Sequence, residues 1–212
     1  TDSGAGGVLG QLASQYGGLA SFAGLNLGGL GNQGSIAIAI ETIKSRQFFA
    51  EYLYDVILFD LMAVDGWNSD SSEVSIDTSM FDPERKVWVV EKGLKSQGIP
   101  SVQRAHMVFL DDYLREDEDN QTGFVTLEIT HYSPTIARDW LNLIVRGVND
   151  AARERDIAGA EKSIQFLNAQ QDKTNLVALT DVFAELIEEQ TKIVMLANAS
   201  DEYIFQVIEP PI

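Results

Sequence analysis

The sequence predicts an α+β protein: a small α/β base domain with a long helical hairpin arm projecting from it. Three observations carry this. Residues Gly123 to His131 alternate polar and apolar, the two-residue period of a half-buried strand. About 60 residues of helical pattern follow, with no internal proline after Pro134. A second strand pattern, Tyr203 to Ile208, then runs into Glu209-Pro210-Pro211. The predicted base is 1–133, with 199–212 returning to it, and the predicted arm is 134–198.

Residues 1–34 hold most of the glycines, and glycine resists helix through backbone entropy. Val8, Leu9, Leu12, Ala13 and Tyr16 allow one short amphipathic helix there, followed by a loose apolar loop. Gly34-Ser35 opens a better helix with Ile36, Ile40 and Ile43 on one face. Phe49, Tyr52, Leu53, Val56 and Ile57 continue the inward face beyond Lys44-Ser45-Arg46. From Asp65 to Pro100 the pattern breaks at turn residues: Gly66, Asn68 to Ser72, and Asp82-Pro83. Val87 to Val90 reads equally as a short strand or a buried helical piece. Pro100-Ser101 precedes a third helix with Val102, Ala105, Phe109, Tyr113 and Leu114 inward, ended by an acidic turn at Glu116 to Asp119.

In the strand that follows, Val125, Leu127 and Ile129 face the core. Ser133 as N-cap and Pro134 at the first helical position start the arm. Its apolar stripe changes phase midway. Ala137, Leu141, Ile144, Val148 and Ala151 share one face; Ile157, Ala160, Ile164 and Leu167 share another. The change falls at Arg153-Glu154-Arg155-Asp156, so the first half is expected to pack on the base and the second on something else. Leu176, Leu179, Phe183, Leu186, Gln190, Ile193 and Ala197 recur at three and four residues, the seam of a coiled-coil-like contact. Asp172-Lys173-Thr174-Asn175 is the expected turn. The strands around Val125 and Val207 are expected to be neighbours in one sheet, completed by a strand from upstream of Thr1.

The net charge of −17 opposes nucleic-acid binding, which needs basic contacts to phosphate, and opposes a peripheral site on anionic lipid. The chain has no cysteine, so neither disulfides nor a thiolate site arise. No apolar run reaches the roughly 20 residues of a membrane span. Thr1 starts in mid-loop and the last residues begin a proline-containing tail, so a fragment of a larger protein is expected, whose flanks could include spans.

Neither a P-loop nor a nucleophile elbow is present. His106 and His131 fall on different predicted elements without ligand spacing, and read as ordinary histidines. Asp117-x-Asp119 with Glu128 imitates a calcium loop, but its sixth position is Thr122 rather than glycine, and Glu128 falls on a strand. Asp55, Asp60 and Asp65, five residues apart, scatter around a helix and do not pair. No catalytic set, cofactor site or metal site is expected. Arg153, Arg155, Lys162 and Lys173 read mainly as a solvated face, with contact to a neighbouring subunit or an anionic glycan as the functional alternative. Gln190 is the polar member of the seam, a type of residue that costs stability and fixes register, and it is the fifth candidate for such a contact.

Several segments, in order, resemble one family. They are Gly18-Leu19-Ala20-Ser21-Phe22-Ala23-Gly24-Leu25; Ile43-Lys44-Ser45-Arg46-x-Phe48; and Gly123-x-Val125-Thr126-Leu127-x-Ile129 with Ser133-Pro134-x-x-Ala137-x-x-Trp140-x-Asn142. Further along come Asn149-x-x-x-Arg153, Ala160-x-x-x-Ile164-x-Phe166-Leu167, Leu186 to Gln190, Met195-Leu196-Ala197, and Tyr203-x-Phe205-x-Val207-Ile208-Glu209-Pro210. The set is similar to the Wzz-type polysaccharide co-polymerases, or chain-length determinants, of Gram-negative bacteria. The resemblance implies a periplasmic domain between two inner-membrane helices that lie outside this chain. It also implies a closed homo-oligomeric ring, no catalytic residues, and control of the length of O-antigen or exopolysaccharide made by a Wzy-type polymerase. The chain departs from the family in its acidity and in Glu209-Pro210-Pro211, where Asp-Pro-Ala is commoner. The alternatives are the periplasmic part of a capsule or exopolysaccharide exporter fused to a tyrosine kinase, and a helical-arm adaptor of an export apparatus.

Overall fold

The structure, a computed structural model, describes residues 32–89, 98–119, 121–173 and 177–211. The glycine-rich segment 1–31, with its expected short helix and the first matched family segment, lies outside them. So do Leu176 and the turn residues Thr174 and Asn175.

Helix α1, Asn32–Lys44, buries Ile36, Ala39, Ile40 and Ile43. Ser45 ends its run and caps the next helix, accepting the Phe48 amide at 3.1 Å. That helix begins regularly at α2, Arg46–Phe48, widens to a π turn over Phe49–Leu53, and returns to α-geometry in α3, Tyr54–Ala63. The wide turn keeps Phe49, Leu53, Ile57 and Leu61 on one buried face. Val56 therefore falls outside and is 65% exposed, where the sequence placed it inward.

The broken stretch after Ala63 is a pair of hairpins rather than a string of turns. Strands β1, Val64–Asn68, and β2, Glu73–Ile76, are antiparallel, and the Asn68 side chain caps their turn by accepting the Asp70 and Ser71 amides. Strands β3, Phe81–Asp82, and β4, Val87–Trp88, form a second hairpin closed by the Asp82 side chain. Phe59, Phe81 and Trp88 meet edge to face beneath it.

Ser101 caps α4, Val102–Val108, which again widens to a π turn over Phe109–Tyr113. The chain then enters β5, Leu114–Asp119, which pairs antiparallel along its whole length with β6, Phe124–Ile129. The acidic segment read as a turn is thus most of a strand. Its charges are tolerated because the two-stranded ribbon leaves them in solvent; only Leu114 is buried. The turn itself hangs on Asp119, whose carboxylate accepts from the Gln121 and Thr122 amides and the Thr122 hydroxyl, and which these bonds hold below the usual carboxylate range. Gly123 supplies the positive φ of +73° that the turn needs.

Helix α5, Pro134–Gln171, is 38 residues long, roughly 57 Å at ~1.5 Å per residue. Ser133 is its N-cap and Pro134 its first residue, as read. Its first half completes the base: Trp140, Ile144 and Val148 join Phe48, Phe49, Leu53, Ile57, Ala105 and Phe109 in one core. Its second half packs against α6, Val177–Ala199, which runs back antiparallel. Ala160 and Leu167 are buried from α5; Phe183, Gln190 and Ala197 are buried from α6. Each set repeats every seven residues, the spacing of a coiled-coil seam. Leu179, Leu186 and Ile193 flank the seam, partly covered.

The return to the base differs from expectation. Residues 203–208 form no strand, and β6 is paired with β5 instead. The reason lies in α5.

The seam generates a prediction. Phe183 is 4% exposed, whereas Leu196, on the same helix, is 68% exposed. Phe183→Ala should destabilise the arm by about 3 kcal/mol, and Leu196→Ala by less than about 0.5 kcal/mol. Amide exchange across residues 160–171 and 179–197 reads both; equal effects would place the seam elsewhere.

Candidate functional site: the arm junction

Residues 147–156 of α5 lie where the base ends and the arm begins. Gly147 marks the crossing with the first helices. A Cβ there would stand 3.1 Å from the Phe48 ring and 3.3 Å from the Tyr52 Cβ, so the bare backbone is what lets α5 approach this closely. Phe48 and Tyr52 are themselves stacked, with ring centroids 5.1 Å apart.

Asn149 follows, 2% exposed. Its amide nitrogen donates to the Phe205 carbonyl at 3.0 Å, while its oxygen accepts the Ile204 amide at 2.8 Å and the Phe205 amide at 2.9 Å. One side chain thus takes up three backbone groups that a β-ladder would otherwise use. This is the physical reason that 203–208 stays irregular: backbone polar groups must be paired on burial, and here a helix side chain pairs them. Ile204 and Phe205 then pack on the base core.

Arg153 is one helical turn further along the same face. Its guanidinium donates to the Ser200 and Asp201 carbonyls, both at 2.9 Å, and is oriented by Asp150 at 2.6 Å. Arg155 pairs with Asp156 at 3.0 Å, and the Tyr203 hydroxyl donates to the other oxygen of Asp156 at 3.0 Å. On the opposite flank the Tyr52 hydroxyl donates to Glu154 at 3.0 Å. Burial, then the bonded carboxylate, pushes the Tyr52 and Tyr203 phenols up to about 12.

Of the residues singled out from the sequence, the structure brings only Arg153 and Arg155 together. The Arg153 fork is engaged by its own chain, which corrects its reading as a solvated face. Lys162 is exposed midway along the arm, and Lys173 is exposed at the turn. Gln190 is buried in the seam, as read. Asn149, Tyr52 and Tyr203 were not singled out as site residues. Asn149 carried a usable signal: it sits beside Val148 within the inward stripe, where an amide needs partners.

His106 and His131 are both engaged with backbone, by contact with the carbonyls of Lys44 at 2.9 Å and Asp60 at 3.3 Å respectively. Among the described residues no group of three or more His, Cys, Asp or Glu is placed to hold a metal ion. No helix among them is long and apolar enough to cross a membrane. The arrangement at 147–156 is a hydrogen-bonded joint, and what it can do chemically is hold two elements in register. No family model, no curated protein and no solved structure matches this chain.

The joint has an alkaline limit. The folded state favours the protonated phenols of Tyr52 and Tyr203 over an ordinary value of 10.0. Their contribution is complete below about pH 10 and is lost as pH rises through about 12. Absorbance titration of phenolate should show the most delayed tyrosines near pH 12, with Tyr52→Phe and Tyr203→Phe each removing one. Titration of both near pH 10 in folded protein would contradict the joint as described.

Proposed function

We propose that this chain is the periplasmic domain of an inner-membrane polysaccharide co-polymerase. It sets the chain length of O-antigen lipopolysaccharide or exopolysaccharide made by a Wzy-type polymerase. It works without chemistry of its own, as a closed homo-oligomer anchored by membrane spans outside this chain.

One observation carries the reading beyond the ordered matches. Two of the matched segments, Asn149-x-x-x-Arg153 and Tyr203-x-Phe205, lie some fifty residues apart and meet at the joint. Residues that resemble the family therefore do a shared mechanical job, tying a long arm to its base. The arm also leaves Val182, Met195 and Leu196 exposed, apolar surface that its partner helix does not cover. Repetition of a heterologous contact with a rotation closes a ring.

The full-length protein is the material for the test. Expressed in a Gram-negative host that lacks its own chain-length determinant but retains its polymerase, it should convert an unregulated polysaccharide ladder into a modal one. Light scattering in mild detergent should show an oligomer. Asn149→Ala should broaden or shift the modal length. An unchanged ladder, or a monomer that imposes a modal length, would overturn the proposal.

A further inference from the structure

A second contact, at the root of the arm, has the chemistry of a switch. Ser133 is 1% exposed and starts α5: its hydroxyl accepts the Ile136 amide at 3.4 Å and its carbonyl accepts the Ala137 amide at 3.1 Å. Its own amide donates to Nδ1 of His131 at 3.0 Å. An amide can only donate, so Nδ1 is unprotonated and the ring hydrogen sits on Nε2. Nε2 in turn donates to the Asp60 carbonyl at 3.3 Å. The neutral ring thus bridges α3 to the first turn of the arm, and both of its nitrogens are committed. It is packed by Trp140 at 5.0 Å, Tyr113 at 5.8 Å and Tyr132 at 6.1 Å between ring centroids.

We propose that His131 is a proton-operated lock on the root of the arm. In the neutral state it ties the buried Ser133 amide to the base. Protonation at Nδ1 turns the acceptor into a donor facing another donor, so the Ser133 amide loses its partner and the first turn of α5 loosens. Histidine is the side chain suited to this, since its charge changes between pH 5 and 8.

The groups facing the ring set the direction of the response. From α3 comes Asp60, half-buried, its carboxyl raised chiefly by burial and drawn down by His131. From the π turn after α4 comes Tyr113, whose hydroxyl donates to the Leu61 carbonyl at 3.3 Å and whose phenol burial pushes up, so it stays neutral throughout. Tyr132 lies beside the ring in sequence, and α5 contributes Trp140, which does not titrate. Asp60 is thus the one anion among these groups. An imidazolium gains attraction to Asp60 as it loses Ser133, which draws the ring toward α3 and away from the cap. The lock stands independently of the proposed function.

Amide exchange tests it in the intact chain. With intrinsic rates corrected for pH, protection of residues 133–137 should fall about tenfold between pH 7.5 and 5.5, the scale expected when one buried donor loses its partner. Protection of 160–167 in the arm should not change. His131→Asn is the control, because an asparagine oxygen two residues before an amide accepts it in an Asx turn at any pH. That variant should be equally protected at both pH values. Unchanged protection of 133–137 in the wild type, or the same acid loss in His131→Asn, would overturn the lock. If the variant does not fold, the wild-type comparison with 160–167 decides alone.

Discussion

The arm of this protein depends on one buried amide. Asn149 stands on α5 at the point where that helix stops being a wall of the base and becomes one strut of a hairpin. A helix cannot offer its backbone to a neighbouring segment, because its own ladder consumes it. The returning chain at 204–205 nevertheless arrives with unpaired amides and a carbonyl that must be satisfied. A carboxamide is the side chain that both donates and accepts in one plane. Arg153, one turn on, extends the same grip to 200–201, and Tyr203 is tied to Asp156.

Everything near the joint follows from making one helix serve two masters. The base demands bulk from α5, hence Trp140, Ile144 and Val148. The crossing with Phe48 and Tyr52 demands the opposite, hence Gly147. The hairpin demands a narrow seam, hence small or slender residues such as Ala160 and Ala197 alongside Leu167 and Phe183. The phase of the stripe must therefore turn within the joint. The polar run Arg153 to Asp156 occupies that interval; Arg153 and Asp156 hold the return, and Glu154 ties the helix to Tyr52.

Much of this was legible in the residues. Ser133-Pro134, the stripe with its mid-helix change and the seam through Phe183, Gln190 and Ala197 are periodic or capping signals, and they lie where read. Most of the differences come from pairing that composition does not reveal. Glu116 to Asp119 looks like a turn until β6 is laid beside it. Tyr203 to Ile208 has strand composition, but Asn149, more than fifty residues away, takes its backbone groups. Val56 falls inward only on a regular helix, and a π turn leaves little trace in composition. Arg153 looked like solvated charge because its acceptors are backbone carbonyls, which every residue has and no composition reveals.

The polar joint, and chiefly Asn149, fixes the arm on the base. The cysteine-free chain allows paired spin labels at Lys162→Cys on the arm and Arg115→Cys on β5 without further substitution. Electron–electron double resonance between them should give one narrow distance distribution in the otherwise native chain, and a broad one after Asn149→Ala. A distribution already broad with Asn149 in place, or one left narrow and unmoved by its loss, would contradict the account.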